Sequence, residues 1–536
     1  MAASADGAMA DGLDSQASIY RLYQTLVAGR SGLSVSGLSR ALAEFGILAD
    51  DPRISETVLK LKPYQQVEIQ SSDISFDAFL EITKSNVSFI QKTLGGDVVI
   101  PNWGDFCDKM DRIFDAVKET VGGTVATYIP QLAKVSATKR AYYVTTISGQ
   151  RHGKGDTCEL FGMQSSVKPF TYALAVRDHG ADKVHHHIGQ EPSGQSFNEV
   201  VLNSDGLPHN PMINAGAIMA CALLKTTADG HSIKNSEALE KILGDFALLT
   251  GGKRPSIDVA MATSEAEEAF RNFQLGYQML HAKAFPINSE VEMRDVLNFY
   301  FQTCAIEMDV EGMSVLAATL ANGGINPITN ERVLDADGVK HTLSLMSSCG
   351  MYDYSGRFLF EIGLPAKSGV SGVVMAVIPN VGGVAIWSPP LDDVGNSVVG
   401  IEFCKKMVTE FNFHGYDSQV NTEKVDPRLQ KNQQTVLNQT LLLFAAKNGD
   451  LNEMRRVINA SRVDLNQGDY DDRTVLHVAA SEGHRHVVAF LLGIDLGHFS
   501  VRLDGVDRWG NTALDDAKRG AETDPVRFDP VVQLLS

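Results

Sequence analysis

The sequence predicts an α+β fold: an antiparallel sheet packed by helices, with a helical subdomain beside it, a smaller helical unit before it and a repeat array after it. Three observations predict this. Two strand-and-turn segments lie about two hundred residues apart, the chain between them has mostly helical spacing, and a short phrase near the C-terminus recurs about one repeat length later. The 536 residues exceed one ordinary domain and fit roughly three. With 44% hydrophobic and 21% charged residues, the balance is that of a globular chain and not of a disordered or fibrous one.

Residues 1–17 are dominated by Ala, Gly and Asp, bury too little surface to fold, and are expected to form a disordered tail. Over 18–102, apolar residues recur at helical spacing in 19–26, 37–45 and 76–82. The stretches 32–45 and 72–82 have the helix–loop–helix rhythm of an EF-hand but lack the Asp/Asn series and closing Glu that calcium requires. The expectation is an EF-hand-like domain without calcium ligands.

Residues 103–418 form the expected central domain. Its segment 142–147 is β-branched and aromatic and turns at Ser148-Gly149-Gln150, which predicts a strand and hairpin. A mostly helical stretch follows from Ser165 to about Asn322. Then 372–378, the turn Asn380-Val381-Gly382 and 384–387 predict a second hairpin, and 397–411 a closing helix. Residues 419–434 are polar, contain Pro427 and read as a linker. In 435–536, Phe444-Ala-Ala-Lys-Asn-Gly-Asp450 returns as Val478-Ala-Ala-Ser-Glu-Gly-His484, close to the ankyrin period of ~33 residues. Thr474-Val-Leu-His477 fits the ankyrin signature, giving two good repeats and one degenerate one, with His477 and His484 in packing positions.

Charge and cysteine content exclude several classes. Acidic residues outnumber basic ones, 65 to 47, and no basic stripe offsets the charge of −18, which argues against nucleic acid and anionic membranes as partners. The most apolar run, 215–224, is too short to span a bilayer, so no membrane span is expected. Six cysteines without a CxxC pair or secretory signal read as reduced intracellular thiols. The acidic N-terminus has no Lys or Arg before Arg21 and shows no import signal, which predicts a cytosolic chain if that terminus is complete.

The candidate chemistry begins with Ser-x-x-Lys, which sets a hydroxyl and an amine one helical turn apart so that a neutral Lys can take the proton as Ser attacks a carbonyl. Ser136-Ala-Thr-Lys139 also matches, but in a polar stretch where Lys stays protonated, so that copy reads as accidental. Ser165-Ser-Val-Lys168 lies between apolar segments. It is expected to open a buried helix, with Pro169 in the first turn and burial lowering the Lys168 pKa. The alternative at this pair is an N-capping Ser and a surface Lys. Downstream, Lys367-Ser368-Gly369 precedes the predicted strand 372–378, and Tyr352 lies shortly before it. The set resembles that of penicillin-recognising serine hydrolases, with Ser in place of Thr, and Lys367 is expected to depress the Lys168 pKa further.

More specific phrases run in order: Tyr128-Ile-Pro-Gln-Leu132, Gln164-Ser-Ser-Val-Lys-Pro169, Glu191-Pro-Ser-Gly194, His209-Asn-Pro-Met-Ile-Asn-Ala-Gly216, Arg271-Asn272, Phe299-Tyr-Phe301, Ala318-Thr-Leu-Ala-Asn-Gly-Gly324 and Cys349-Gly-Met-Tyr352. Together they resemble the glutaminases, and the flanking helical unit and ankyrin tail resemble those of the animal kidney- and liver-type enzymes. The resemblance implies a β-lactamase/penicillin-binding-like core that hydrolyses glutamine to glutamate and ammonia through a γ-glutamyl ester on Ser165. It implies Lys168 as base, Tyr352 as proton relay, and the backbone N–H groups of Ser165 and Val370 as oxyanion hole. Substrate contacts map onto Tyr128, Asn214, Glu265, Asn272 and Tyr300; a carboxylate suits the α-ammonium, and amide and phenol donors suit the α-carboxylate. The resemblance further implies no required cofactor, inorganic phosphate as an activator, a homotetramer, a mitochondrial setting and a protein partner for the ankyrin repeats.

The chain departs from the family in places. Ser166 stands where kidney-type enzymes have Cys. Glu199 and Val200-Val201-Leu202 replace the Lys and Leu-Phe-Leu of the activation loop, and Tyr277-Gln278 replaces a tyrosine pair. These departures bear on phosphate activation and its tetramer coupling more than on catalysis. Two other functions compete: a β-lactam or peptide hydrolase, against which Glu265 argues, and a non-enzymatic scaffold, against which Ser165, Lys168, Tyr352 and Lys367 argue. The triplet His185-His186-His187 has adjacent side chains that diverge and no completing ligand, so it does not read as a metal site. Gly122-Gly123 and Gly323-Gly324 read as turns.

Overall fold

The structure, a computed structural model, describes residues 19–20, 23–24, 26–27, 35–66, 74–194, 199–227, 229–287, 289–417, 424–429, 431–460, 463–493 and 501–536. The tail expected over 1–17 lies outside them, as do 32–34 and 72–73 of the EF-hand-like stretches and 419–423 and 430 of the expected linker. Two compact units form, Met1–Tyr416 and Asp417–Ser536.

The first unit opens with helices α1 (Val35–Glu44), α2 (Ser55–Gln66), α3 (Phe76–Thr83) and α4 (Val87–Leu94). Their apolar faces meet in a small core that includes Leu38, Leu42, Leu61, Phe79 and Ile90. This helical unit grips the first hairpin of the central domain. Arg53, paired with the fully buried Asp51, donates to the Ser148 carbonyl at 2.9 Å, and Gln150 bonds the carbonyls of Phe45 and Ile100 and the amide of Ile100.

The central sheet has five antiparallel strands: β1 (Ala141–Thr146), β2 (Arg151–Gly155), β6 (Ala366–Gly369), β7 (Val373–Ile378) and β8 (Gly382–Trp387), in the order β2-β1-β8-β7-β6. Every position of β1, β7 and β8 is buried because both faces are covered. Tyr142 packs toward Phe114 of α5 (Trp103–Val117) and Phe403 of the closing helix α14 (Val398–Glu410). Thr145, on the opposite face, bonds Ser314 of α12 (Val310–Ala321) at 2.7 Å. Gly383 permits that close packing: a Cβ there would lie 2.4 Å from Ala317 Cβ and from the Ala318 nitrogen.

Both expected hairpins and the closing helix form. The stretch read as mostly helical is interrupted, however. Its short strands β4 (Ser256–Ile257) and β5 (Ile306–Met308) join β3 (Phe161–Gly162), which lies just before it, in a second sheet in the order β3-β5-β4. Lys367-Ser368-Gly369 precedes β7, as expected, and itself forms strand β6, paired with β7, in keeping with the Lys-Thr-Gly strand motif it resembles.

Between β3 and α12 lie α6 (Lys168–His179), α7 (Asn214–Leu224), α8 (Asn235–Leu249), α9 (Val259–Glu267), α10 (Phe270–His281) and α11 (Glu290–Cys304); α13 (Ala336–Cys349) follows α12. All of 215–224 is buried, as suits a helix that is apolar on every side, and its many small residues let neighbours approach closely. No helix among the described residues is long and apolar enough to cross a membrane.

The second unit contains helices α15 (Lys431–Asn448) to α20 (Pro525–Leu535), so the end of the expected linker is already helical. Repetition is visible atom by atom. Asp469 and Asp507 each accept a backbone N–H four residues on, from Arg473 at 3.0 Å and Asn511 at 2.8 Å. Thr474 with His477, and Thr512 with Asp515, then form capping boxes. His477 also reaches the Asn511 carbonyl of the next repeat at 3.2 Å, the packing role its position suggested.

Candidate active site

Ser165 sits in a 3₁₀ turn, Gln164–Val167, that leads directly into α6, of which Lys168 is the first residue and Pro169 the next. Pro is tolerated there because that position has no helical N–H partner to lose. The preceding Gln164 has φ +51°, unusual for a residue with a side chain, so the turn that presents Ser165 is held in place by its surroundings. β6 runs close beneath it: a Cβ on Gly369 would lie 2.8 Å from the Met163 carbonyl.

Lys168 Nζ lies 3.1 Å from Ser165 Oγ and 2.7 Å from Asn214 Oδ1, and the side chain is fully buried. Burial lowers its pKa to about 8, countered in part by the nearby Cys304, Glu265 and Cys221. A surface Lys after a capping Ser is thereby excluded. Lys367 is also fully buried, and its amine is depressed first by burial and then by the Lys168 charge. Repulsion between the two amines is mutual and disfavours both carrying a proton at once. The Ser136 copy of the motif is a surface feature, with Lys139 paired to Asp156 and Glu159.

Tyr352, at φ +53°, follows α13 and shares a hydrogen bond with Ser165. Its hydroxyl also donates to the Ser368 carbonyl at 3.2 Å, which Lys367 Nζ bonds at 2.8 Å while lying 4.6 Å above the Tyr352 ring.

A cavity of about 440 Å³ opens over Ser165, and Tyr128, Asn214, Glu265, Asn272, Tyr300 and Val370 all line it. Seven of the nine residues singled out from sequence therefore share one wall system. Lys168 lies buried beneath Ser165, and Tyr352 borders a second cavity of about 400 Å³. Tyr128 donates to Glu265 Oε1 at 2.6 Å, Asn214 Nδ2 donates to Asn272 Oδ1 at 3.2 Å, and the Tyr300 hydroxyl lies 3.4 Å from Asn214 Oδ1. Burial raises the Glu265 carboxyl, while bonds from Tyr128 and Gln164 and the Lys168 charge pull it down. A ligand ammonium would complete the charge balance at Glu265.

Sequence reasoning missed Gln164, which joins Tyr128 and Glu265, and Cys304, whose thiol is pushed up to about 12 by burial and bonds Tyr300 one helical turn earlier. Both sit next to noticed residues, Gln164 before Ser165 and Cys304 four after Tyr300, so adjacency and helical spacing were the available signals. In the His triplet, His185 bonds the Tyr172 hydroxyl and the Ile188 carbonyl, and His187 bonds the Ala284 carbonyl. Their ring nitrogens serve packing.

Three family models match the chain: glutaminase over residues 123–416, EF-hand domain over 15–101 and ankyrin repeats (3 copies) over 405–502. The mitochondrial liver isoform of glutaminase from Rattus norvegicus is 43% identical over 500 residues, 92% of this chain and 81% of the relative. A glutaminase from Nostoc sp. (strain PCC 7120 / SAG 25.82 / UTEX 2576) is 40% identical over 296 residues, 55% of this chain and 85% of the relative. Among solved structures, that of Mglu in its glutamate form aligns with a TM-score of 0.54 at 35% identity, over 58% of this chain and 69% of that one. A Ser–Lys pair beneath a cavity that carries Glu265, in a β-lactamase-like domain that follows an EF-hand domain and precedes ankyrin repeats along the chain, agrees with these matches, and the chain belongs to the glutaminase family of amidohydrolases.

Proposed function

We propose that the protein hydrolyses L-glutamine to L-glutamate and ammonia through a γ-glutamyl ester on Ser165. The observation that carries this reading is the fully buried Lys168 amine, lowered to about 8 and 3.1 Å from the hydroxyl of a residue that lines the cavity. In the first step the Ser165 Oγ–C bond forms as Lys168 takes the hydroxyl proton. The backbone N–H groups of Ser165 and Val370 hold the resulting oxyanion. The C–N bond then breaks as Tyr352 passes its proton to the departing nitrogen to give ammonia, and Lys168 hands the proton it took from Ser165 to Tyr352, leaving the amine neutral again. Water, deprotonated in turn by the neutral Lys168, adds to the ester carbonyl; the C–Oγ bond then breaks, the proton on Lys168 passes to Ser165 Oγ, and glutamate leaves.

Glu265 holds the substrate ammonium in this reading, and Tyr128, Asn214, Asn272 and Tyr300 provide the polar frame for the α-carboxylate. No cofactor enters the cycle, and inorganic phosphate acts as an activator. A homotetramer, a mitochondrial location like that of the rat relative, and capture of a protein partner by the ankyrin repeats complete the proposal.

Ammonia release from glutamine tests the mechanism. Ser165→Ala and Lys168→Ala are each expected to lower kcat at least 10³-fold, a loss typical of removing a nucleophile or its base; near-normal turnover in either would refute it.

A further inference from the structure

We propose that Asn214 is a positioning residue for the base: its side-chain carbonyl turns the Lys168 amine so that the lone pair faces Ser165, and Asn272 fixes that orientation. The inference rests on the Ser165–Lys168 reading and assigns Asn214 a task besides contact with substrate.

The hydrogen-bonding inventory leads there. Lys168 opens α6 and Asn214 opens α7, and the two side chains meet with Nζ 2.7 Å from Oδ1, closer than the 3.1 Å to Ser165 Oγ. A carbonyl oxygen only accepts, so the shorter contact consumes an N–H of the amine. A neutral amine has two N–H bonds and one lone pair in tetrahedral directions. Committing one N–H to Asn214 leaves the lone pair free to accept the Ser165 proton. Were the amide turned over, its Nδ2–H would point at the same nitrogen and occupy that lone pair, disabling the base.

Two further contacts agree with the productive orientation. Asn214 Nδ2 donates to Asn272 Oδ1 at 3.2 Å, and the buried Tyr300 hydroxyl lies 3.4 Å from Asn214 Oδ1 as a donor. With its oxygen engaged by Lys168 and Tyr300 and one N–H by Asn272, Asn214 keeps a single N–H for substrate. Asn272 keeps its amide N–H groups for that purpose. The same pair of amides that would frame substrate therefore also sets the direction of the base.

The test is the pH dependence of kcat for glutamine, measured on the full-length protein. The other titratable groups acting on Lys168 or facing it are Glu265 on α9, Cys304 on α11, Cys221 on α7 and Lys367 on β6, and all are left unchanged. In Asn214→Asp a carboxylate replaces the amide oxygen and holds Lys168 protonated. The acid limb of the kcat profile is expected to move up by at least about one pH unit, with kcat at pH 7 falling about tenfold or more. Asn214→Ser, too short to reach Nζ, is expected to lower plateau kcat about tenfold while leaving the limb in place.

An Asn214→Asp enzyme whose KM rises while its acid limb stays at the wild-type position overturns the inference and leaves Asn214 a substrate contact only. If Asn214→Asp does not fold, Asn272→Leu carries the readout: unlocking the amide is expected to lower plateau kcat, and a raised KM with full plateau kcat overturns the proposal. Ser165→Ala separates the two levels. Loss of turnover in Ser165→Ala with an unmoved limb in Asn214→Asp refutes the positioning role alone, whereas retained turnover in Ser165→Ala removes the serine mechanism and this role with it.

Discussion

Replacing Lys168 by Met removes a fully buried amine and keeps most of its volume. The pKa falls from the ordinary 10.5 to about 8 because burial disfavours the charged form. At about 1.4 kcal/mol per pH unit, that gap corresponds to roughly 3 kcal/mol. The sign follows from proton counting. Between about 8 and 10.5 the unfolded chain binds the proton and the folded one does not, so wild-type stability rises with pH across that window; below it, the full penalty is present. Met has no such penalty but forfeits the bonds to Ser165 and Asn214, about 1 kcal/mol each at every pH. The variant is therefore expected to be more stable by about 1 kcal/mol at pH 7 and less stable by about 2 kcal/mol near pH 10.5, while lacking activity. Lys367 reinforces the sign, because part of its own depression comes from the Lys168 charge that the variant removes. Urea titrations of both proteins from pH 6.5 to 10.5 give the difference directly, and the expected result is that the two stability curves cross. A difference that stays level across this range would refute the buried-amine argument, whatever its size.

Gly383→Ala introduces a methyl 2.4 Å from Ala317 Cβ and is expected to cost about 1–3 kcal/mol or more, read as a lower urea midpoint with an unchanged m-value. Because Asp417–Ser536 is a compact unit of its own, a chain ending before Gln434 is expected to retain glutamine turnover within about twofold of the full chain. Loss of partner capture in the same truncation would give the repeats an interaction role; loss of turnover would tie them to catalysis.

What the sequence revealed about fold and site follows physical lines. The hairpins at 142–155 and 373–387 were legible because β1, β7 and β8 are rich in β-branched and apolar residues and buried on both faces, and because the turns carry Gly, Ser or Asn. The repeats were legible because each turn depends on the same Asp and Thr contacts. β3, β4 and β5 span only two or three residues, too short for any alternation to register. β6 is Ala-Lys-Ser-Gly, a sequence with little strand preference, and its conformation comes from pairing with β7. For the site, the flanking apolar segments revealed the burial of Lys168. How far burial depresses each of the two fully buried amines, Lys168 and Lys367, depends on the groups packed around it, and that information is tertiary. The left-handed backbone at Gln164 and Tyr352 left no mark either, since neither residue type favours it.

The central pairing of β1 with β8 sets a timetable for synthesis. Ala141 lies opposite Trp387 and Thr146 opposite Gly382, so partners in the middle of the sheet are separated by about 240 residues of chain. At ~5–20 residues per second, the ribosome takes roughly 12 to 50 s to deliver the partner edge after the first hairpin emerges. Throughout that interval β1 exposes an apolar strand with an unpaired row of N–H and C=O groups, a template for pairing with another nascent chain. The helical unit that precedes it is complete by then and already carries Arg53 and the Phe45 carbonyl that hold the hairpin turn. Its grip on the β1–β2 turn gives the waiting strand an early intramolecular neighbour, so the order of domains along the chain acts as protection during folding as well as architecture afterwards.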